Sequence, residues 1–138
     1  MIVRYLEDRI GTDYDVDTPT WNSRRLLLHD DAVGFSLHDT VIKAGTETMI
    51  WYKHHVEAVY CIEGLGEIEL ESGEKYPIRP GMMYVLNGHE KHWLRGATEM
   101  RMVCVFNPPC TGTEVHDEDG AYAASSPLGS DREGGQSQ

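Results

Sequence analysis

The sequence reads as an all-β protein, a sandwich or small barrel of short strands with a few short helical turns. Three observations lead there. Short runs rich in Val, Ile, Tyr, Trp and Met recur along most of the chain, bounded by Gly, Pro, Asn or Asp. Gly45, Gly64, Gly66, Gly73, Gly81, Gly88 and Gly96 punctuate those runs at hairpin intervals. No segment keeps a helical apolar period beyond two turns, so the crossover helices of a parallel sheet are missing.

Taken in order, residues 3–10 suit one turn of helix. Strands are expected over 24–30 and 34–42, on either side of the turn-like Asp30-Asp31-Ala32-Val33-Gly34. Further strands are expected over 48–52, 56–63, 66–71, 75–79, 82–86, 91–95 and 100–106. From Ala123 the composition turns to Gly and Ser with almost no large apolar groups, too little to offset the entropy of ordering. The expectation is one domain over 1–122 and a flexible tail over 123–138.

Composition narrows the function by exclusion. The 138 residues carry 12 Lys and Arg against 23 Asp and Glu, a formal net charge of -11. That sign disfavours nucleic-acid backbones and anionic membrane surfaces. A hydrophobic fraction of 40% is enough for a core, so wholesale disorder is excluded. No apolar run approaches the ~20 residues of a membrane span. The opening Met1-Ile2-Val3-Arg4-Tyr5-Leu6-Glu7-Asp8 lacks the profile of a secretory signal. Three cysteines without a C-x-x-C pair argue against a disulfide framework, and the expected address is the reducing cytoplasm. Cys61 and Cys104 lie in apolar runs and read as small core hydrophobes.

Two stretches carry chemistry. In the first, Glu57 opens an apolar strand and shares a face with Val59 and Cys61. It points into a barrel if they do, or else lies at the solvated end of the strand. The second stretch runs from Gly81 to His92. Together the two resemble the paired signatures of the cupin superfamily, whose His and Glu side chains converge on a metal. Gly45-x5-Trp51-x-Lys53-x3-Glu57-x6-Gly64 keeps the glycines and glutamate of the first signature. Its four-residue spacer would instead place Tyr52 in the second histidine slot. Gly81-x5-Asn87-x-His89-x2-His92-x3-Gly96 keeps the first glycine and the histidine of the second. Glu57 and His92 thus stand where ligands stand, while the paired histidines are gone. His54 and His55 are adjacent, so a strand turns at most one of them inward. Spacing alone makes Tyr84 a core or rim tyrosine rather than a ligand.

A third stretch is more specific. Phe106-Asn107-Pro108-Pro109-Cys110-Thr111-Gly112-Thr113-Glu114-Val115-His116-Asp117-Glu118 resembles the ectoine synthase family, cupin enzymes of compatible-solute biosynthesis. The resemblance extends to Met1-Ile2-Val3-Arg4, Trp21, Arg25, Gly34-Phe35-Ser36, His55-Val56-Glu57-Ala58-Val59-Tyr60 and Pro80-Gly81-Met82-Met83-Tyr84. It implies a cupin-type double-stranded β-helix, or jelly-roll. It also implies Fe(II), other divalent metals being possible, held by Glu57, Tyr84 and His92, so Tyr84 becomes a ligand. Implied substrate-binding residues are Trp21, Arg25, Thr40, Tyr52, Phe106, Glu114 and His116.

The implied reaction is cyclocondensation of N-γ-acetyl-L-2,4-diaminobutyrate to ectoine with loss of water, by a homodimer. Thr40, Tyr52, Glu114 and His116 are the catalytic candidates. Arg25 is expected to bind the substrate carboxylate, with Trp21 and Phe106 as apolar walls. Glu114, with His116, is the candidate proton acceptor, and Tyr52 or Thr40 steers the acetamide. The family more usually has Asn at the place of His38, whose role stays open, and Cys110 stands where an apolar residue is common. A non-catalytic cupin that binds a small molecule is the alternative. An iron dioxygenase would want an H-x-H pair that this chain lacks. His29 and His89 read as surface turn residues, and Trp51 and Trp93 as packing. Lys53, Glu63, Glu67, Glu69 and Glu71 read as solvated or strand-edge charges.

Overall fold

Alternation of buried and exposed side chains decides which face of each strand turns inward. The computed structural model, which describes residues 1–112, 115, 116 and 120–122, has ten strands among those residues. Glu114 and the expected tail over 123–138 lie outside the described residues. The strands are β1 (Asp15–Asp17), β2 (Trp21–Leu27), β3 (Ser36–Ile42), β4 (Thr46–Ile50) and β5 (Val56–Glu63), followed by β6 (Gly66–Leu70), β7 (Lys75–Ile78), β8 (Met83–Leu86), β9 (His92–Gly96) and β10 (Met100–Asn107). They form a six-stranded sheet in the order β1-β2-β3-β10-β5-β8 and a four-stranded sheet in the order β4-β9-β6-β7. Every pairing is antiparallel. The chain changes sheet after β3, β4, β5, β7, β8 and β9, which winds it into the expected jelly-roll.

The core lies between the sheets. Ile42, Val59, Cys61, Leu86, Met100 and Met102 come from the larger sheet and Ile50, Ile68, Ile78 and Leu94 from the smaller one. Burying each large aliphatic side chain stabilises the fold by about 1.5–3 kcal/mol. Gly64 lets β5 turn toward β6. Its φ is 95°, and a Cβ there would come within 2.1 Å of the Glu99 carbonyl oxygen.

Three local departures from the sequence reading have identifiable causes. β1 is a three-residue pairing with Asn22, Ser23 and Arg24, too short to leave a pattern. The run expected as strand to residue 30 ends at Leu27 and turns into a 3-10 helix, His29–Asp31. There the Asp31 carboxylate accepts from Leu28 N–H at 2.9 Å and from both terminal nitrogens of Arg4 at 2.8 and 2.7 Å. His29 is consequently only 4% exposed, not a surface turn residue, and its N–H donates to the Cys110 carbonyl at 2.8 Å. The strand expected over 48–52 instead spans Thr46–Ile50, because Trp51 N–H donates out of the sheet to Gly120 O at 2.7 Å.

Candidate active site

Register across five strands builds the inner wall. One row runs Arg25, His38, Cys104, Val59, Tyr84 from β2 to β8. On one side of it lies the row Ser36, Phe106, Glu57, Leu86, and on the other Ser23, Thr40, Met102, Cys61. Polar groups are concentrated on this face, whereas the opposite wall offers Ile50 and Leu94 from β4 and β9. Between the walls is a narrow cavity of about 30 Å³.

Aromatic side chains gather around it. Tyr52 is T-shaped to Phe106, with centroids 5.1 Å apart, and its hydroxyl oxygen lies 2.7 Å from His116 Nε2. His116 stacks on Tyr122 at 4.9 Å and meets the edge of Trp21 at 5.4 Å. The hydrogen bond from Trp51 to Gly120 ties the segment bearing Tyr122 to the end of β4. A Cβ on Gly120 would come within 2.6 Å of the Met49 carbonyl oxygen, so this approach requires glycine.

Electrostatics follow from burial. Glu57 is pushed up to about 8 because its carboxyl sits in apolar surroundings, opposed in part by its hydrogen bond with Cys104. Burial, and then the neighbouring Glu57, hold the Tyr84 phenol well above its ordinary value. Burial also raises Tyr52 strongly, with Tyr122 and Glu57 adding to it. It lowers His92, against the opposing pull of the Glu90 carbonyl. These groups are therefore neutral on their own near pH 7, and a cation among them would reverse the preference of Glu57 and Tyr84.

The donors fit a metal ion. His92 is fully buried, its Nδ1 lies 3.0 Å from Glu90 O, and its Nε2 has no hydrogen-bond partner. That fixes the proton on Nδ1 and leaves the Nε2 lone pair open, the state of a ligating imidazole. His92 shares the inward face of β9 with Leu94 and pairs with Ile50, both of which line the cavity. Glu57 and Tyr84 lie diagonally across β5 and β8 on the facing wall. No three His, Cys, Asp or Glu side chains cluster by themselves among the described residues, so a metal here needs the tyrosine. Carboxylate, phenolate and imidazole together suit iron better than calcium.

Of the other residues expected in the site, Trp21, Thr40, Tyr52, Phe106 and His116 line the cavity. Arg25 lies on the inner row of β2 and is fully buried, donating from Nε to Ser23 Oγ at 2.8 Å and from Nη1 to Gly112 O at 2.6 Å. Of the adjacent histidines, His55 is buried and His54 exposed, and both lie before the start of β5 rather than on a strand. His89 is exposed as expected. Trp51 packs beneath two ammonium groups, Lys53 Nζ at 4.5 Å and Lys91 Nζ at 5.4 Å from its ring centroid.

Three hydroxyl- or thiol-bearing residues of the cavity had no site role in the sequence reading. Cys104, read as a core hydrophobe, lines the cavity, and burial followed by the neighbouring Glu57 carboxyl holds its thiol protonated. The signal for it was its place two residues before Phe106 on one strand face. Ser23 shares that relation with Trp21. Tyr122 had no periodic signal at all, because it lies outside the strands.

Comparison with known proteins completes the description. The sequence profile of the family described as ectoine synthase matches residues 1–126. The L-ectoine synthase of Desulfatibacillum aliphaticivorans is 66% identical over 125 residues, covering 88% of this chain and 96% of the relative. The crystal structure of ectoine synthase from P. lautus is 72% identical and superposes with a TM-score of 0.83 over 87% of each chain. A cupin domain of a transcriptional regulator from Enterobacter cloacae shares the fold, with a TM-score of 0.55 at 16% identity over 64% of this chain and 96% of that one.

Proposed function

The chain belongs to the ectoine synthase family, and from that premise we propose how its cavity closes N-γ-acetyl-L-2,4-diaminobutyrate into ectoine. As a member of that family it is an enzyme, a carbon–oxygen lyase of the hydro-lyase type. In the reaction the free α-amine attacks the acetamide carbonyl carbon, a C–N bond forms, and the carbonyl oxygen leaves as water. Three requirements follow: a folded substrate, a polarised carbonyl, and a group that takes the amine proton.

Folding is the task of the aromatic enclosure. Trp21, Phe106 and Tyr52 present apolar faces that leave a flexible chain few extended arrangements, and bringing amine and carbonyl together is worth several kcal/mol. The Tyr52–His116 hydrogen bond, with the stack of His116 on Tyr122, covers the reacting atoms and keeps bulk water from reversing the condensation. Thr40 lines the cavity two rows from Glu57 on the same wall and steers the acetamide. His116, with Glu114, takes the amine proton. Glu57, Tyr84 and His92 hold Fe(II), which when bound polarises the acetamide oxygen as a Lewis acid.

The observation that carries this reading is the pair of facing donor walls. Glu57 and Tyr84 sit on one and His92, its Nε2 unengaged, on the other, under an aromatic cap. Residues 1–122 act as one domain. Tyr60, Met83 and Val85, exposed apolar groups on the outer face of β5 and β8, support a homodimer. No described helix is long and apolar enough to cross a membrane. Reduced thiols at Cys61 and Cys104 support a cytoplasmic address.

The test is anaerobic incubation of iron-loaded protein with the acetylated diamino acid, with ectoine followed by proton NMR. Stoichiometric conversion is expected. Binding of the substrate without product would overturn the enzyme reading in favour of a binding module.

A further inference from the structure

Ser23 lies on the cavity wall beside Thr40, and its hydroxyl can be oriented by counting donors and acceptors. Arg25 Nε–H donates to Ser23 Oγ at 2.8 Å, and His38 Nδ1 lies 3.3 Å from the same oxygen. Across the imidazole, His38 Nε2 lies 3.1 Å from Ser36 Oγ, which already accepts from Cys110 N–H at 3.0 Å. Ser36 is fully buried and does not line the cavity. Among the described residues its hydroxyl proton has one acceptor, His38 Nε2. Ser36 therefore donates to Nε2. Burial, and then the charge of Arg25, keep the imidazole neutral, so its proton rests on Nδ1 and is donated to Ser23.

Both lone pairs of Ser23 Oγ are then occupied, and its own proton has no acceptor among the described residues. It turns to the cavity. The opposite tautomer would strand the Ser36 proton in a closed pocket, at a cost of about 1–3 kcal/mol. A charged imidazole would donate at both nitrogens and orient Ser23 the same way.

We propose that Ser23 is a substrate-positioning residue whose hydroxyl donates to the carboxylate of the substrate, with Arg25 behind it and His38 setting its orientation. The guanidinium 2.8 Å behind Oγ polarises the hydroxyl and makes an anionic acceptor the favoured one. β2 is three strands from β5 in the sheet, so a carboxylate held at Ser23 is kept away from the Glu57 carboxyl while the acetamide reaches toward it. Arg25 then acts on the substrate through Ser23 rather than by touching it. The inference rests on the activity proposed above.

The experiment compares the natural acid with its carboxamide analogue on wild type, Ser23→Ala, Ser23→Cys, His38→Gln and the Ser23→Ala/His38→Gln double variant. For the acid, Ser23→Ala should raise KM about tenfold or more with kcat nearly unchanged, and the isosteric Ser23→Cys, a weaker donor, should lie between. For the carboxamide, whose neutral carbonyl oxygen is a weaker acceptor than a carboxylate, Ser23→Ala should raise KM by a clearly smaller factor, about twofold. His38→Gln should raise KM for the acid, and the double variant should match Ser23→Ala alone. An unchanged KM for the acid in a folded Ser23 variant, or equal penalties for acid and carboxamide, overturns the assignment. Should Ser23→Ala not fold, Ser23→Cys decides by the same criteria. No ectoine from wild type would instead overturn the parent activity.

Discussion

Two carboxyl groups of this molecule are almost equally buried, yet burial leaves them in opposite states. Asp39, 7% exposed, sits on the outer face of β3, and Glu57, 6% exposed, on the inner face of β5. Burial pushes both upward. At Asp39 that push is overcome by hydrogen bonds from Arg101 and Arg24, and the group ends below its ordinary value. Arg24 Nη2 lies 2.6 Å and Arg101 Nη2 2.7 Å from its oxygens. At Glu57 no guanidinium answers, only the Cys104 thiol and apolar neighbours, and the group rises to about 8. Partners rather than burial decide the charge. The outer carboxylate is finished within the fold. The inner one has no basic side chain among the groups that shift it, as expected of a group kept for chemistry rather than for stability.

The largest test of that contrast is to remove each carboxyl in turn. Glu57→Ala should lower turnover by roughly a thousandfold or more and abolish bound iron, measured by metal analysis of the purified variant. Undiminished iron in that variant would remove Glu57 from the ligand set. The same substitution should leave the fold intact, because a neutral buried carboxyl contributes little to it.

Next in size is the pH dependence of stability in metal-free protein, where the two groups pull in opposite directions. Glu57 is raised in the folded state from 4.5 to about 8, so folding holds its proton and stability is lost as pH climbs through that window. Each pH unit within it costs at most about 1.4 kcal/mol. Glu57→Gln cannot ionise and should be the more stable protein at pH 9, by up to about 5 kcal/mol, while matching wild type near pH 4. Parallel stability curves for the two proteins would show that the carboxyl is not held neutral. Asp39 is lowered from 3.8, so its contribution is present above that value and lost as pH falls through the folded-state value.

Asp39→Asn should cost about 2 kcal/mol at neutral pH by urea denaturation, because it leaves two guanidinium groups facing an amide. Its KM and kcat should stay at wild-type values, since Asp39 faces away from the cavity. Altered kinetics in a folded Asp39→Asn protein would break the separation between outer and inner faces.

How much of this was readable beforehand depends on the distance over which each residue is determined. β5 was legible from its own residues, because Val56 to Glu63 form a short apolar run rich in strand-forming residues that ends at a glycine no other residue can replace. Glu57 and His92 were legible as members of spaced frames. The turn at His29–Asp31 was not, since Leu26-Leu27-Leu28 reads as strand until Arg4, 27 residues away from Asp31, clamps its carboxylate. Tyr84 and Cys104 failed for a related reason. Each looks like core in its own strand and becomes a neighbour of Glu57 only through register across three strands. Arg25 was placed in the site by resemblance, and no local pattern showed that its guanidinium would donate to Ser23 and to Gly112, the latter 87 residues along the chain.

The smallest effect is expected on β9, where one strand carries both kinds of surface. His92 and Leu94 face inward, while Arg95 faces out among Glu47, Glu67 and Glu69, at 2.7, 2.8 and 2.8 Å. This arrangement has more ion pairs than the one around Asp39, yet its members are substantially exposed, so solvent screens them and each long side chain loses rotamer freedom in pairing. Arg95→Gln should therefore lower the urea midpoint only slightly at low salt, through repulsion among the three carboxylates it leaves behind. That difference should vanish in 1 M NaCl, where the screening length falls to about 3 Å. A large loss that persists in high salt would mean that exposed pairs count here as much as the buried Asp39 cluster does. Turnover should be unchanged throughout, because alternation along the strand keeps Arg95 on the face opposite the His92 imidazole.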